Sequence, residues 1–110
     1  MKYALLLYQA ESTAPENEDL APWHDYTRSL VEAGVLRGGE ALQPTPTATT
    51  VRLENGRIST TDGPFAETRE QLGGFYLIEV ENLDDAIAWA AKIPSAGQGP
   101  VEVRPIWDVG

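Results

Sequence analysis

The chain has 110 residues, of which 17 are acidic and 8 basic, for a formal net charge of −9. That balance excludes nucleic-acid binding through a general basic surface, since the few Lys and Arg are scattered and form no stripe. With no cysteine there is no disulfide, thiol nucleophile or cysteine metal site; this fits the cytoplasm, and 42% apolar residues suffice for one modest core spanning residues 1–110.

Lys2 to Tyr8 is a continuous apolar run of strand length, apolar on both faces and too short to cross a membrane or act as a leader. Gln9 to Glu18 is polar and reads as a loop. The acids Glu11, Glu16, Glu18, Asp19 and Asp25 crowd one short stretch from this loop into the next helix, which reads as a solvated lead-in to a helix whose dipole favours acids at its start. Asp19 is placed to cap that helix, with Pro22 in its first turn and Gly34 stopping it after Ala33. Its predicted inner face is Leu20, Trp23, Leu30 and Val31, with Tyr26 to one side. Gly38-Gly39 reads as a turn or a point of close backbone approach.

Thr47 to Leu53 is rich in Thr and Val and reads as a strand. Asn55-Gly56 is a strong hairpin signal, and Ile58 to Thr61 is the return strand. Gly74 to Val80 predicts another strand, with Tyr76, Ile78 and Val80 on one face and Phe75, Leu77 and Glu79 on the other. Asn82 caps a second helix with an inner stripe of Leu83, Ala86, Ile87 and Ala90, ending before Pro94. Val101 to Pro105 is the last strand. The order is β-α-β-β-β-α-β, or β-α-β-β-α-β with one strand split, a ferredoxin-like α+β arrangement with an antiparallel sheet and two helices on one face. Apolar residues on the second sheet face need a cover, and the simplest cover is the same face of a second copy, giving a homodimer.

Between the return strand and Phe75 lies the most informative stretch. Asp62, Glu67, Arg69 and Glu70 place four ionisable groups within nine residues. The lead-in Asp62-Gly63-Pro64-Phe65 is turn chemistry: Asp62 can bond backbone two residues on, Gly63 permits positive φ and Pro64 fixes φ. Phe65 is expected to tuck inward. Such a loop is either a plain turn or a rigid holder of charge.

Asp62-Gly63-Pro64-Phe65 and Glu67-Thr68-Arg69-Glu70-Gln71-Leu72-Gly73-Gly74-Phe75 resemble the signature of the YCII-related family, in its Asp-Gly-Pro-Phe branch. Lys2 to Tyr8 resembles the family's first strand. Ala33-Gly34-Val35-Leu36 and Gly38-Gly39-Glu40-Ala41-Leu42 resemble its first helix exit, and Val101 to Pro105 its last strand. The resemblance implies a dimeric α+β barrel with sheets packed face to face. It also implies an aspartate at the Asp62 position, which some relatives are thought to pair with a histidine. His24 is displaced from that histidine's place. A few relatives resemble dehydrochlorinases of aromatic breakdown. Members of this branch are often encoded near alternative sigma factors, which implies a regulatory reading as the alternative.

Several residues are candidates for chemistry. Asp62 is either a turn-closing side chain or a partly desolvated acid/base. His24, the one histidine, is either a half-buried packing residue at the edge of the helix or a proton-transfer partner. Arg69 either pairs with Glu67 or Glu70 or binds a substrate anion through its fork of donors. Glu40 follows the Gly38-Gly39 approach. Glu102 and Arg104 share one strand face and should pair, or Arg104 can orient an anion. Trp23, Trp89 and Trp107 read as core or interface aromatics. No metal motif, phosphate loop or nucleophile triad is present, so no cofactor is expected. The expectation is a small acidic or phenolic ligand near Asp62, with catalysis by proton transfer or elimination as one form of it.

Overall fold

A computed structural model describes residues 1–10 and 20–109. Strand β1 (Lys2–Ala10) leads, through residues outside that description, to helix α1 (Ala21–Glu32). Then follow β2 (Leu36–Ala41), a short 3-10 turn at Thr45–Thr47, β3 (Thr49–Glu54), β4 (Arg57–Asp62), β5 (Glu70–Glu79), α2 (Leu83–Ala91) and β6 (Val101–Pro105). The main sheet has the order β2-β5-β1-β6, antiparallel throughout, and β3-β4 form a separate two-stranded sheet. Removing that hairpin leaves β-α-β-β-α-β in the ferredoxin-like arrangement.

The strand β2 corrects the reading of Gly38-Gly39 as a turn. These glycines sit inside a strand, opposite Leu77 and Tyr76 of β5. A Cβ on Gly39 would lie 2.7 Å from the Phe75 carbonyl oxygen, so only glycine lets the strands approach this closely. The expectation of close backbone approach holds, and the strand around it, whose register against β5 shifts between Leu36 and Gly38, is the part that propensity concealed.

Register places Tyr3, Leu5 and Leu7 of β1 on the same face as Tyr76 and Ile78 of β5 and Val101 and Val103 of β6. Both helices cover that face, and Leu30, Ala86, Ala90 and Ile93 complete its core. At about 25 cal/mol per Å² of apolar area, burial of this cluster is the main stabilising term. Tyr26 is buried at the centre of α1, rather than to one side. Leu20 and Val31, expected inside, are exposed, as are Leu83 and Ile87 of α2. The inner stripe of each helix is therefore narrower than its apolar residues suggest. Leu20 occupies the N-cap position of α1, and the proposed Asp19 cap lies outside the described residues. Gly34, at φ +73°, follows the helix end as predicted. Asn82 caps α2 by accepting from the Asp85 N–H at 2.9 Å.

Tyr26 ties three elements together. Its ring meets Tyr76 edge-on at 5.3 Å and Trp89 at 6.4 Å, and its hydroxyl donates to the Trp89 carbonyl at 2.8 Å. Burial pushes the Tyr26 phenol well above the usual tyrosine value of 10.0, and neighbouring Tyr76 adds to the effect. The folded state thus keeps a proton that the unfolded chain releases near pH 10. The linked stability is whole below that pH and falls as pH rises toward the folded-state value. Tyr26→Phe should cost about 1–2 kcal/mol near neutrality, because the Trp89 carbonyl loses its partner. It should also flatten the alkaline decline, as read by thermal unfolding at neutral and alkaline pH; an equally steep decline in the variant would contradict this assignment.

Candidate functional site

The Asp62 loop begins where the β3-β4 hairpin ends. Asn55 (φ 51°) and Gly56 (φ 77°) make its turn, as the Asn-Gly pair predicts, and Thr49 pairs with Asp62 at the base. Gly63 then takes φ +104°, a conformation that favours glycine. Its N–H donates to the Ala48 carbonyl at 2.7 Å, and its carbonyl accepts from the Thr50 hydroxyl at 2.8 Å. The far end is held by Gln71, whose amide donates to the Ala66 and Thr68 carbonyls, each at 2.9 Å. The Thr68 hydroxyl donates to the Glu70 carbonyl at 2.6 Å. Backbone groups and neutral side chains thus fix the loop, and among the described residues none of its charged side chains is used for the purpose. Thr50 and Gln71 were not singled out in the sequence. Gln71 stands within the motif, but nothing in its type distinguishes a brace from a solvated amide.

Phe65 corrects the sequence reading. It is 75% exposed, and the Arg52 guanidinium lies 5.2 Å from its ring centre. The ring shields an arginine on the hairpin instead of entering the core. Asp62, Glu67, Arg69 and Glu70 are all exposed. Among the described residues none of the four forms a salt bridge, so the expected pairing of Arg69 with Glu67 or Glu70 is not seen.

The other candidates are dispersed. His24 is exposed on α1, with no hydrogen bond or ion pair to Asp62 among the described residues. Glu40 is exposed on β2 opposite Phe75. Arg104 pairs with Glu102 as predicted, so its guanidinium is already engaged. Trp23 and Trp89 pack against the core as expected, but Trp107 is 87% exposed. Grooves run beside Trp23, Tyr26 and Lys92 and beside Val35, Glu79 and Trp89, on the helical side; neither is lined by Asp62, Arg69 or His24. Among the described residues no three His, Asp or Glu converge as metal ligands, and no helix is long and apolar enough to cross a membrane.

The fold is a ferredoxin-like α+β domain with an inserted hairpin and a braced, charged loop at the hairpin's base. The YCII-related domain model matches residues 1–109, and the chain belongs to that family. An uncharacterised protein of Rhizobium meliloti (strain 1021) is 42% identical over 114 residues, covering 96% of this chain and 92% of its own length.

The bracing makes a local prediction. Gln71→Ala removes both bonds to the Ala66 and Thr68 carbonyls. Amide exchange across residues 64–69 should accelerate, while global stability changes by less than about 1 kcal/mol, because Gln71 is only half-buried and its two bonds are local to the loop. Unchanged exchange in that segment would show that Gln71 does not hold the loop.

Proposed function

We infer that this chain is a cytoplasmic homodimer of the Asp-Gly-Pro-Phe branch that binds a small acidic or phenolic molecule beside the Asp62 loop. One observation carries the reading. The loop backbone that carries Asp62 and Arg69 is held by Thr50, Gln71 and backbone groups, and among the described residues neither charged side chain takes part in holding it. A braced backbone that carries a carboxylate and a guanidinium, neither in a salt bridge among the described residues, lowers the ordering cost of binding a ligand.

In this reading Arg69 binds the ligand's anionic group through its fork of donors. Arg69 suits that role better than Arg104, which Glu102 already occupies. Asp62 serves as acid/base. In an elimination its carboxylate takes a proton from carbon, the C–H electron pair forms the new double bond, and the leaving group departs with its own pair. Glu67 and Glu40 set the polarity of the approach, and His24 assists only if a second copy brings it near.

A thermal-shift screen of wild type and Asp62→Asn against small carboxylates and phenols tests this. A ligand present at about 100 times its Kd stabilises the folded state by about 2.7 kcal/mol. The expected result is a compound that raises the melting temperature of wild type and not of the variant. Equal shifts in both, or none for any compound, would contradict the ligand site and favour a regulatory module.

A further inference from the structure

We propose that the β3-β4 hairpin is an arm that grips a second copy of this chain, and that its docking encloses Asp62. The hairpin's strands contact chiefly each other and join no larger sheet. A lone two-stranded hairpin is marginal in water, so a projecting one needs a surface to rest on. The register gives it two distinct faces. Val51, Leu53, Ile58, Thr60, Thr49 and Asp62 share one of them. On that face Val51, Leu53 and Ile58 are 63%, 71% and 76% exposed. Three large, exposed apolar side chains thus stand on a ribbon apart from the main sheet, on the same face as the candidate carboxylate.

Shape and charge point to a second copy as the occupant. The radius of gyration is 15.8 Å, against about 13 Å for a compact domain of this length. The extents of 46 × 41 × 19 Å describe a thin slab. A slab of these extents has room on a broad side for the roughly 800 Å² that each partner gives to a standard interface. One such face is the uncovered side of the sheet, where Ala4, Leu6, Phe75 and Leu77 are only half-buried. Two copies joined there would set each arm beside its partner. Residues 49–69 contain Arg52, Arg57 and Arg69 against Glu54, Asp62 and Glu67, so they are neutral and the whole charge of −9 lies elsewhere. The arm is therefore the segment that can approach an equally acidic copy without net repulsion. Docking of the apolar face also covers Asp62 and takes the carboxylate out of bulk water, which an exposed loop in one copy cannot do.

This rests on the dimer named above, and the test separates the two. Amide exchange is measured over residues 49–62 of the wild-type chain at low and at high micromolar concentration, alongside sedimentation velocity. The expected result is dimer formation with protection of the arm that rises with concentration. The double variant Leu53→Asp with Ile58→Asp, at sites already exposed, should keep its circular dichroism yet weaken the dimer at least tenfold. A dimer whose arm exchanges equally fast at both concentrations, or whose affinity is unchanged in the variant, overturns the arm while leaving the dimer. A monomer at all concentrations overturns both.

Discussion

The sheet carries apolar side chains on both faces, while the chain supplies helices for only one of them. The helical face is closed by Tyr26, Leu30, Ala86 and Ala90 over Tyr3, Leu5 and Ile78. The opposite face holds Ala4, Leu6, Phe75 and Leu77, flanked by the Glu102–Arg104 and Arg37–Glu79 pairs. Removing such a face from water is favourable, and among the described residues no helix covers it. The proposed dimer, the arm and the enclosure of Asp62 all follow from that shortage.

The two ion pairs at the edge of the open face fit this picture. Arg37 donates through Nε to Glu79 at 3.0 Å and through Nη1 to the Gly34 and Leu36 carbonyls at 3.0 Å each, so much of its fork is used locally. Pairs of this exposure add little to the stability of one copy. In the proposed dimer they would neutralise charge that otherwise opposes burial of the apolar centre between them. By contrast, Arg52, Arg57 and Arg69 lie on the hairpin and its loop, and among the described residues none of them forms a salt bridge. The division is between charge settled within the body and charge carried outward on the arm.

Much of the architecture was legible because periodicity and punctuation agreed. Tyr76 and Ile78 alternate against Phe75 and Leu77, Asn55-Gly56 turns the hairpin, and Asn82 and Gly34 bound the helices. Strand β2 was not legible, since its two glycines mimic a turn; their cause is the Phe75 carbonyl on the neighbouring strand, which sequence alone does not reveal. Phe65 was misplaced for a related reason. An aromatic after Asp-Gly-Pro has no local signal that says whether the core or an arginine will receive it, and here Arg52 does. The loop itself was found from its turn residues, but its braces were not. Thr50 acts from the hairpin and Gln71 from the following strand, and each role depends on tertiary geometry. The Glu102–Arg104 pair was readable because alternate residues on a strand share a face.

Sedimentation equilibrium of the unmodified chain at neutral pH is the most direct test that the open sheet face is covered by a second copy. Each chain weighs 12.0 kDa. The account predicts a mass of twice that value at micromolar concentration, falling toward the single-chain mass on dilution. A mass of one chain at every concentration would contradict it and leave Ala4, Leu6, Phe75 and Leu77 facing water.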